Sequence, residues 1–300
     1  MRVLFMGTPE YAGEILKELL AHKDIEVVAV FTQEDKKVGR KQLLTPPVVK
    51  TIALEHNLPL YQPKKLRDSV DEVLSIECDF IVVGAYGQIL PKAIIDYRPC
   101  INLHASILPS YRGASPIQSS LLYGDTKTGV TAMLMDEGLD SGDILLIDEI
   151  DIKPDDMQED LFYKLSEVAA KLTIKTLRGF SKLKPIKQDL AKVTHSKKIT
   201  KEDGLIEFYD AKVIYSKYRA FTPWPGTYLN SGLKLKECKL ADSDSQNRVG
   251  EILEVTKEYV KVGCAKGSLF IYTLQPESKS AMSAVSYING KRLKVADILS

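Results

Sequence analysis

The sequence predicts an α/β protein: a mainly parallel sheet, then a linker and a small β-barrel. Three observations predict it. Strand-like apolar runs alternate with helical periodicity over the first 180 of 300 residues, as in βαβ units. One run, Phe80-Ile81-Val82-Val83-Gly84, is apolar throughout, as a strand buried on both faces must be. After Gly204 the pattern changes to short strands punctuated by glycine, the mark of a barrel.

Arg2–Gly7 opens the chain as a short apolar strand, too brief for the core of a signal peptide. Tyr11–Leu20 carries Ile15, Leu16, Leu19 and Leu20 at helical spacing, Glu26–Thr32 is a Val-rich strand, and Pro47–Asn57 is helical. After Phe80–Gly84 come a strand over Ile101–Ser106 and a helix from Ser115, with Pro116 suited to its first position. Strands over Val130–Met135 and Ile144–Ile152 precede a long amphipathic helix, Met157–Phe180. Lys182–Asp203 is basic, polar and aperiodic, and reads as a linker. A helix over Ala211–Phe221 then leads to strands at Leu233–Leu240, Glu251–Val255, Tyr259–Val262 and Leu269–Leu274.

Composition narrows the class. Hydrophobic residues make up 44% and charged residues 27%, typical of a globular chain. No stretch approaches the roughly 20 apolar residues of a membrane span, so a cytoplasmic protein without membrane attachment is expected. Cys78, Cys100, Cys238 and Cys264 lie far apart and read as buried free thiols, with no metal-ligand spacing among them. The net charge of +1 hides an asymmetry: residues 181–300 carry 21 Lys and Arg against 13 Asp and Glu, and the first 180 carry 20 against 27. A solvated lysine-rich surface and a polyanion-binding C-terminal part explain this equally well.

The first turn, Gly7-Thr8-Pro9-Glu10-Tyr11-Ala12-Gly13, is not a dinucleotide-binding fingerprint, and Glu34 and Asp35 are poor candidates for a ribose contact. The stronger candidates lie at Cys100–Gly113. In a strand, Asn102 and His104 share a face, just before the chain leaves the sheet where open α/β folds bind ligands. A carboxamide can hold a developing oxyanion, and an imidazole can move a proton. As single residues they serve equally well as a turn cap and a hydrogen-bonded core histidine. His22, His56 and His195 lie in polar surroundings. The Gly- and Asp-rich loop Asp136–Asp143 suits a plain strand connection, yet it also offers Asp140 as a carboxylate for His104. Ser106, Ile107, Leu108 and Pro109 form an extended segment whose backbone groups suit the edge of a heterocycle. Thr32–Pro47 is a long basic loop with Lys36, Lys37, Arg40 and Lys41, suited to phosphate-rich ligands or simply to solvent.

Asn102-Leu103-His104-Ala105-Ser106, Leu108-Pro109, Arg112-Gly113-Ala114 and Gly138-Leu139-Asp140-Ser141-Gly142-Asp143 together resemble the folate-dependent formyltransferases. Gly7-Thr8-Pro9, Ala85-Tyr86-Gly87-Gln88-Ile89-Leu90-Pro91, Arg219–Gly226 and Leu274-Gln275-Pro276 narrow the likeness to members that act on charged initiator tRNA. The resemblance implies a Rossmann-like formyltransferase catalytic domain over 1–183, a basic linker over 184–203 and a tRNA-binding OB-like barrel over 204–300. It implies 10-formyltetrahydrofolate as formyl donor, methionyl initiator tRNA as acceptor, and a monomer with no metal. It assigns catalysis to Asn102, His104 and Asp140. Folate binding falls to Ser106, Ile107, Leu108 and Pro109, with the pterin near Ala85, Tyr86, Gly87, Gln88, Ile89 and Leu90. It puts Arg40 at the acceptor stem, helped by Lys36, Lys37 and Lys41, and makes Lys197, Lys198 and Lys201 phosphate contacts.

The chain departs from the family's usual Gly-Arg-Gly-Lys-Lys-Leu loop, reading Gly39-Arg40-Lys41-Gln42-Leu43-Leu44, with one glycine and one positive charge fewer. Tyr111 stands where Trp is frequent. Two other readings are weighed: a formyltransferase for small amines or sugar nucleotides, and a non-catalytic RNA-binding module. A small substrate gives no reason for a basic C-terminal part, and an inert module gives none for the complete Asn102, His104 and Asp140 set.

Overall fold

In chain order the strands of the N-terminal part are β1 (Arg2–Gly7), β2 (Glu26–Phe31), β3 (Lys36–Val38), β4 (Leu43–Thr45), β5 (Leu60–Tyr61), β6 (Phe80–Gly84), β7 (Cys100–His104), β8 (Arg112–Gly113), β9 (Lys127–Leu134), β10 (Ile144–Asp151) and β11 (His195–Ser196). Helices α1 (Glu10–Ala21), α2 (Val48–Glu55), α3 (Val70–Leu74), α4 (Lys92–Ile95), α5 (Pro116–Tyr123) and α6 (Gln158–Gly179) interleave with them. The structure, a computed structural model, describes every residue except Arg40. The chain divides into two units: residues 1–116, 126–152 and 160–197, and residues 117–125, 153–159 and 198–300.

The first unit is built on a seven-stranded sheet of order β10-β9-β7-β6-β1-β2-β5. β1 pairs in parallel with β2 and β6, as do β2 with β5 and β6 with β7. The apolar runs explain the central positions: Val3, Leu4, Phe5 and Met6 of β1 are fully buried, as are Ile81 and Val82 of β6. α1 lies against them because Ile15, Leu16 and Leu19 recur at helical spacing and are buried. From β1 the chain winds first to β2 and β5, then crosses to β6 and β7. The boundary between β1 and β6 is therefore the switch point where such sheets bind ligands.

β9 runs antiparallel to both β7 and β10. An antiparallel pair needs no crossover helix, so a loop alone joins β9 to β10. Met135 N–H donates to the Cys100 carbonyl at 2.9 Å, so that loop leaves the sheet at the start of β7. It then folds back toward Asn102 and His104.

Two segments differ from expectation. The basic loop Thr32–Pro47 contains the antiparallel pair β3 and β4, with Lys36 opposite Thr45 and Val38 opposite Leu43. Three-residue strands that bury neither face leave little periodicity to read. The expected linker is also more than a tether. Residues up to Lys197 belong to the first unit, and β11 pairs in parallel with β8, placing His195 opposite Arg112.

The second unit contains α7 (Ala211–Phe221), β12 (Thr227–Tyr228), β13 (Lys234–Asp242), β14 (Ile252–Val255), β15 (Val260–Gly263), β16 (Ser268–Gln275), β17 (Met282–Ser283) and α8 (Ala284–Gly290). Its sheet runs β12-β13-β16-β15-β14, with β17 also on β16. Leu235, Val260, Val262, Leu269, Ile271 and Leu274 fill the core with Ile214 and Ile288 from the two helices. Asp210 caps α7, its carboxylate accepting from the N–H groups of Lys212 and Val213. All four cysteines are buried free thiols. No helix among the described residues is long and apolar enough to cross a membrane.

Candidate active site

β7 carries Asn102 and His104 on one face, and Tyr11 of α1 supports the strand by donating its hydroxyl to the Leu103 carbonyl at 3.1 Å. Burial drives the Tyr11 phenol pKa upward, so it stays a neutral donor. The β9–β10 loop brings Asp140 over that face. Of its acids, Asp140 is the one beside the pair. Its Oδ1 accepts from Asn102 Nδ2 at 3.3 Å, and its Oδ2 accepts from the Gly113 N–H at 2.9 Å. Oδ2 also lies 3.6 Å from His104 Nδ1. The side chains of His104 and Asp140 are 7% and 14% exposed, so this is a sheltered polar cluster.

The other nitrogen of His104, Nε2, lies 2.9 Å from the Tyr111 carbonyl oxygen. A carbonyl can only accept, so Nε2 carries a proton, and Nδ1 lies on the side of Asp140. Tyr111 has φ of 59° and Asp140 φ of 49°. Both non-glycine residues sit in the left-handed region, where surrounding contacts must hold them. The Tyr111 carbonyl was not readable from sequence, because a backbone acceptor has no residue signature.

The segment Ser106–Pro109 is already heavily hydrogen-bonded. Ser106 Oγ donates to Ser110 O at 2.6 Å, and Leu108 N–H donates to Thr131 Oγ1 at 3.0 Å. The Pro109 carbonyl accepts from Thr194 N–H at 3.3 Å. The Leu108 side chain is buried, while Ile107 and Pro109 are half-buried. At the end of β6 the expected pterin segment alternates: Ala85, Gly87 and Ile89 are exposed, Tyr86 and Leu90 buried. Ile89 is 88% exposed, an open apolar ledge beside the switch point. The Tyr86 carbonyl accepts from Thr8 Oγ1 at 2.9 Å and from Gln33 Nε2 at 2.8 Å, tying β1, β2 and β6 together. Tyr86 Oη and Thr32 Oγ1 are buried without a partner, and burial pushes the Tyr86 phenol pKa up to about 12. Gln88 faces away in function: it accepts from Leu66 N–H at 2.7 Å and donates to Pro63 O at 3.0 Å.

Lys36, Lys37 and Lys41 are exposed around the β3–β4 pair, with Lys36 bonded to the Gln33 side chain. Val38, Leu43 and Leu44 beside them are 56%, 63% and 66% exposed. Arg40, the residue expected at the acceptor stem, lies outside the described residues. Lys197, Lys198 and Lys201 are exposed. His56 and His195 are exposed, and His22 is held by Glu18 at 3.2 Å. Among the described residues no group of three or more His, Cys, Asp or Glu is arranged to hold a metal ion.

Residues 1–177 match the family described as formyl transferase, and residues 198–292 match the formyl transferase C-terminal domain. The methionyl-tRNA formyltransferase of Sulfurimonas denitrificans is 61% identical over 302 residues, covering 100% of both chains. That of Nitratiruptor sp. is 56% identical, covering 99% of each. Among solved structures, a sugar 3N-formyl transferase, WlaRD, in the presence of dTDP and 5-N-formyl-THF, matches with a TM-score of 0.70. At 19% identity, over 93% of this chain and 99% of that one, it shows the shared fold.

Proposed function

The chain belongs to the formyl transferase family, and from that premise we propose that it transfers the formyl group of 10-formyltetrahydrofolate to the α-amino group of methionyl initiator tRNA. The observation that carries the reading is the convergence of Asn102, His104 and Asp140 on one face at the carboxyl end of β7. Full-length likeness to two methionyl-tRNA formyltransferases supports the acceptor.

10-Formyltetrahydrofolate would supply the formyl carbon, and its N10 would take up the proton that the amine gives up, passed on by His104, so that tetrahydrofolate leaves neutral. Attack by the amine requires loss of a proton and leaves negative charge on the formyl oxygen. The Nδ1 lone pair of His104 accepts that proton. Once protonated, Nδ1–H faces Asp140 Oδ2, so their attraction strengthens as the reaction proceeds, which is what accelerates it. Asn102 Nδ2 has two hydrogens. One is directed at Asp140, which fixes the amide plane and leaves the other for the oxyanion. Enclosure of the cluster strengthens each of these interactions.

For the donor, the exposed ledge of Ala85, Gly87 and Ile89, with Tyr86 buried behind it, suits a flat heterocycle. Ser106, Ile107, Leu108 and Pro109 line the other wall, and Leu90 backs the ledge; Gln88 contributes by holding the segment's shape. For the acceptor, Lys36, Lys37, Arg40 and Lys41 take the end of the stem, and Lys197, Lys198 and Lys201 take phosphates. The C-terminal sheet is read as an OB-like, tRNA-binding barrel over 204–300, after a catalytic domain over 1–183 and a basic linker over 184–203 whose residues up to Lys197 fold with the first unit. The enzyme works as a cytoplasmic monomer, and the chemistry calls for no metal.

The test is single-turnover formyl transfer to methionyl initiator tRNA, comparing wild type with His104→Ala and Asn102→Ala. Collapse of transfer in both, with tRNA binding retained, is expected. An unmodified enzyme inert toward the tRNA but active on a small amine overturns the acceptor assignment.

A further inference from the structure

Gln188 lies in the polar stretch after α6, yet it is 8% exposed. Its amide uses all four hydrogen-bonding positions available to a carboxamide. Nε2 donates to the Asp140 carbonyl at 2.9 Å and the Gly142 carbonyl at 2.7 Å. Oε1 accepts from Arg112 Nε at 3.0 Å and Arg112 Nη2 at 2.8 Å. One side chain therefore joins the turn bearing Asp140 to the residue preceding Gly113, whose N–H binds the Asp140 carboxylate.

Six residues later Thr194 performs the matching task for Tyr111. Its Oγ1 accepts from Tyr111 N–H at 2.8 Å, and its carbonyl accepts from Arg112 N–H at 2.9 Å. Tyr111 in turn supplies the carbonyl that His104 Nε2 binds. Tyr111 and Asp140, both with left-handed backbones, are thus each held by the same segment. Neither hold contributes an atom to the reacting groups.

We propose that residues 188–196 are a positioning clamp: Gln188 fixes Asp140 and Thr194 fixes the Tyr111 carbonyl, and together they set the tautomer and direction of His104. This rests on the reading of Asn102, His104 and Asp140 as the transferring residues. The clamp acts through the carbonyls of Asp140 and Gly142, the N–H groups of Tyr111 and Arg112 and the buried Arg112 side chain, so its effect is on rate, not on substrate affinity. A displacement of about 1 Å at the reacting groups costs on the order of 10² in rate.

Gln188→Glu separates the two halves of the clamp. It keeps an acceptor for Arg112 but turns an oxygen toward the carbonyls of Asp140 and Gly142, which then repel it. Thr194→Val removes the hydroxyl, and Thr194→Ser retains it. Formyl transfer to methionyl initiator tRNA is measured across pH, with melting temperature recorded and His104→Ala and Asp140→Ala as references. Expected are kcat losses of about 10²-fold for Gln188→Glu and about tenfold for Thr194→Val, KM for the tRNA within twofold, rescue by Thr194→Ser, and a displaced acidic limb of the pH–kcat profile, where the base His104 must lose its proton. Rates within threefold of wild type for Gln188→Glu and Thr194→Val, beside inactive reference variants, overturn the clamp alone. The same holds if losses track melting temperature with an unchanged pH profile. Active reference variants overturn the site assignment and the clamp together.

Discussion

Replacing Gly142 by alanine tests how tightly the Asp140 turn must be held. A Cβ at Gly142 lies 1.7 Å from the Leu134 carbonyl oxygen and 2.8 Å from its carbon, where ordinary contact begins near 3.4 Å. These are backbone atoms of β9 and have no rotamer to escape into. The turn must therefore retreat by about 1.5 Å, and a shift of that size near reacting groups costs on the order of 10² or more in rate. The retreat also breaks the Gln188–Gly142 bond and the Leu134 N–H to Asp143 carbonyl bond, at 2.7 and 2.9 Å. At about 1 kcal/mol each, their loss is expected to lower the melting temperature by roughly 4–8 °C. Gly138→Ala in the same loop is the control. Its Cβ meets Ser141 Oγ, which can rotate away, giving up an exposed hydrogen bond to Asp136 at 2.7 Å. That costs roughly 0.5–1.5 kcal/mol and leaves the rate within threefold. Thermal melts and single-turnover kinetics on both variants decide the matter. Equal damage from the two substitutions, or a Gly142→Ala enzyme with wild-type rate, refutes the reasoning.

Asn102→Ala removes a single oxyanion donor and should reduce kcat by about 10²–10³; rapid-quench measurement of the chemical step that shows less than a tenfold loss removes that role. Arg40→Ala should impair initiator tRNA more than Lys198→Ala does, measured as kcat/KM ratios for initiator and elongator acceptors. Equal losses on both acceptors remove a selective role for Arg40. Lys198→Ala should instead reduce the slope of log affinity against log salt by about 0.7–0.9, and an unchanged slope in filter-binding titrations removes the phosphate contact. Burial pushes the Cys100 and Cys264 thiols each up to about 12, so native chains at pH 8 should react with a thiol reagent at least ~100-fold slower than unfolded ones. A proton held more tightly in the folded state stabilises fully below the unfolded thiol's pKa of about 8.5. That contribution fades as pH rises from there through about 12, so melts between pH 8 and 10 should show declining stability.

The parts of the fold that announce themselves in sequence are those whose burial is set by neighbours in the chain. β1 and β6 read correctly because Val3–Met6 and Ile81–Val83 are apolar without interruption. α1 and α6 read correctly because their apolar residues recur at helical spacing. β7 ends at His104 and not at Ser106, since Ser106 N–H turns back to the His104 carbonyl at 2.9 Å. Asn102 and His104 were visible as a strand pair, and Asp140 as the middle acid of its loop. What stayed hidden depends on distant partners. Gln188 is one more polar residue in a polar stretch until Arg112, 76 positions earlier, is brought to it. The β3–β4 pair hides for a different reason: its residues face solvent on both sides, so no apolar period marks it.

The pairing of β11 with β8 also bears on how this chain can be rebuilt. Residues 178–197 lie between the two stretches that match known domain families, and an engineer joining a foreign C-terminal module would treat them as replaceable spacer. A chimera spliced after Gly179 would inherit Asn102, His104 and Asp140 but receive someone else's Gln188 and Thr194. A splice after Lys197 keeps Gln188 and Thr194 bonded to Arg112, Asp140 and Tyr111, but residues 117–125 and 153–159 group with 198–300, so an exchanged module has to fit those two stretches as well.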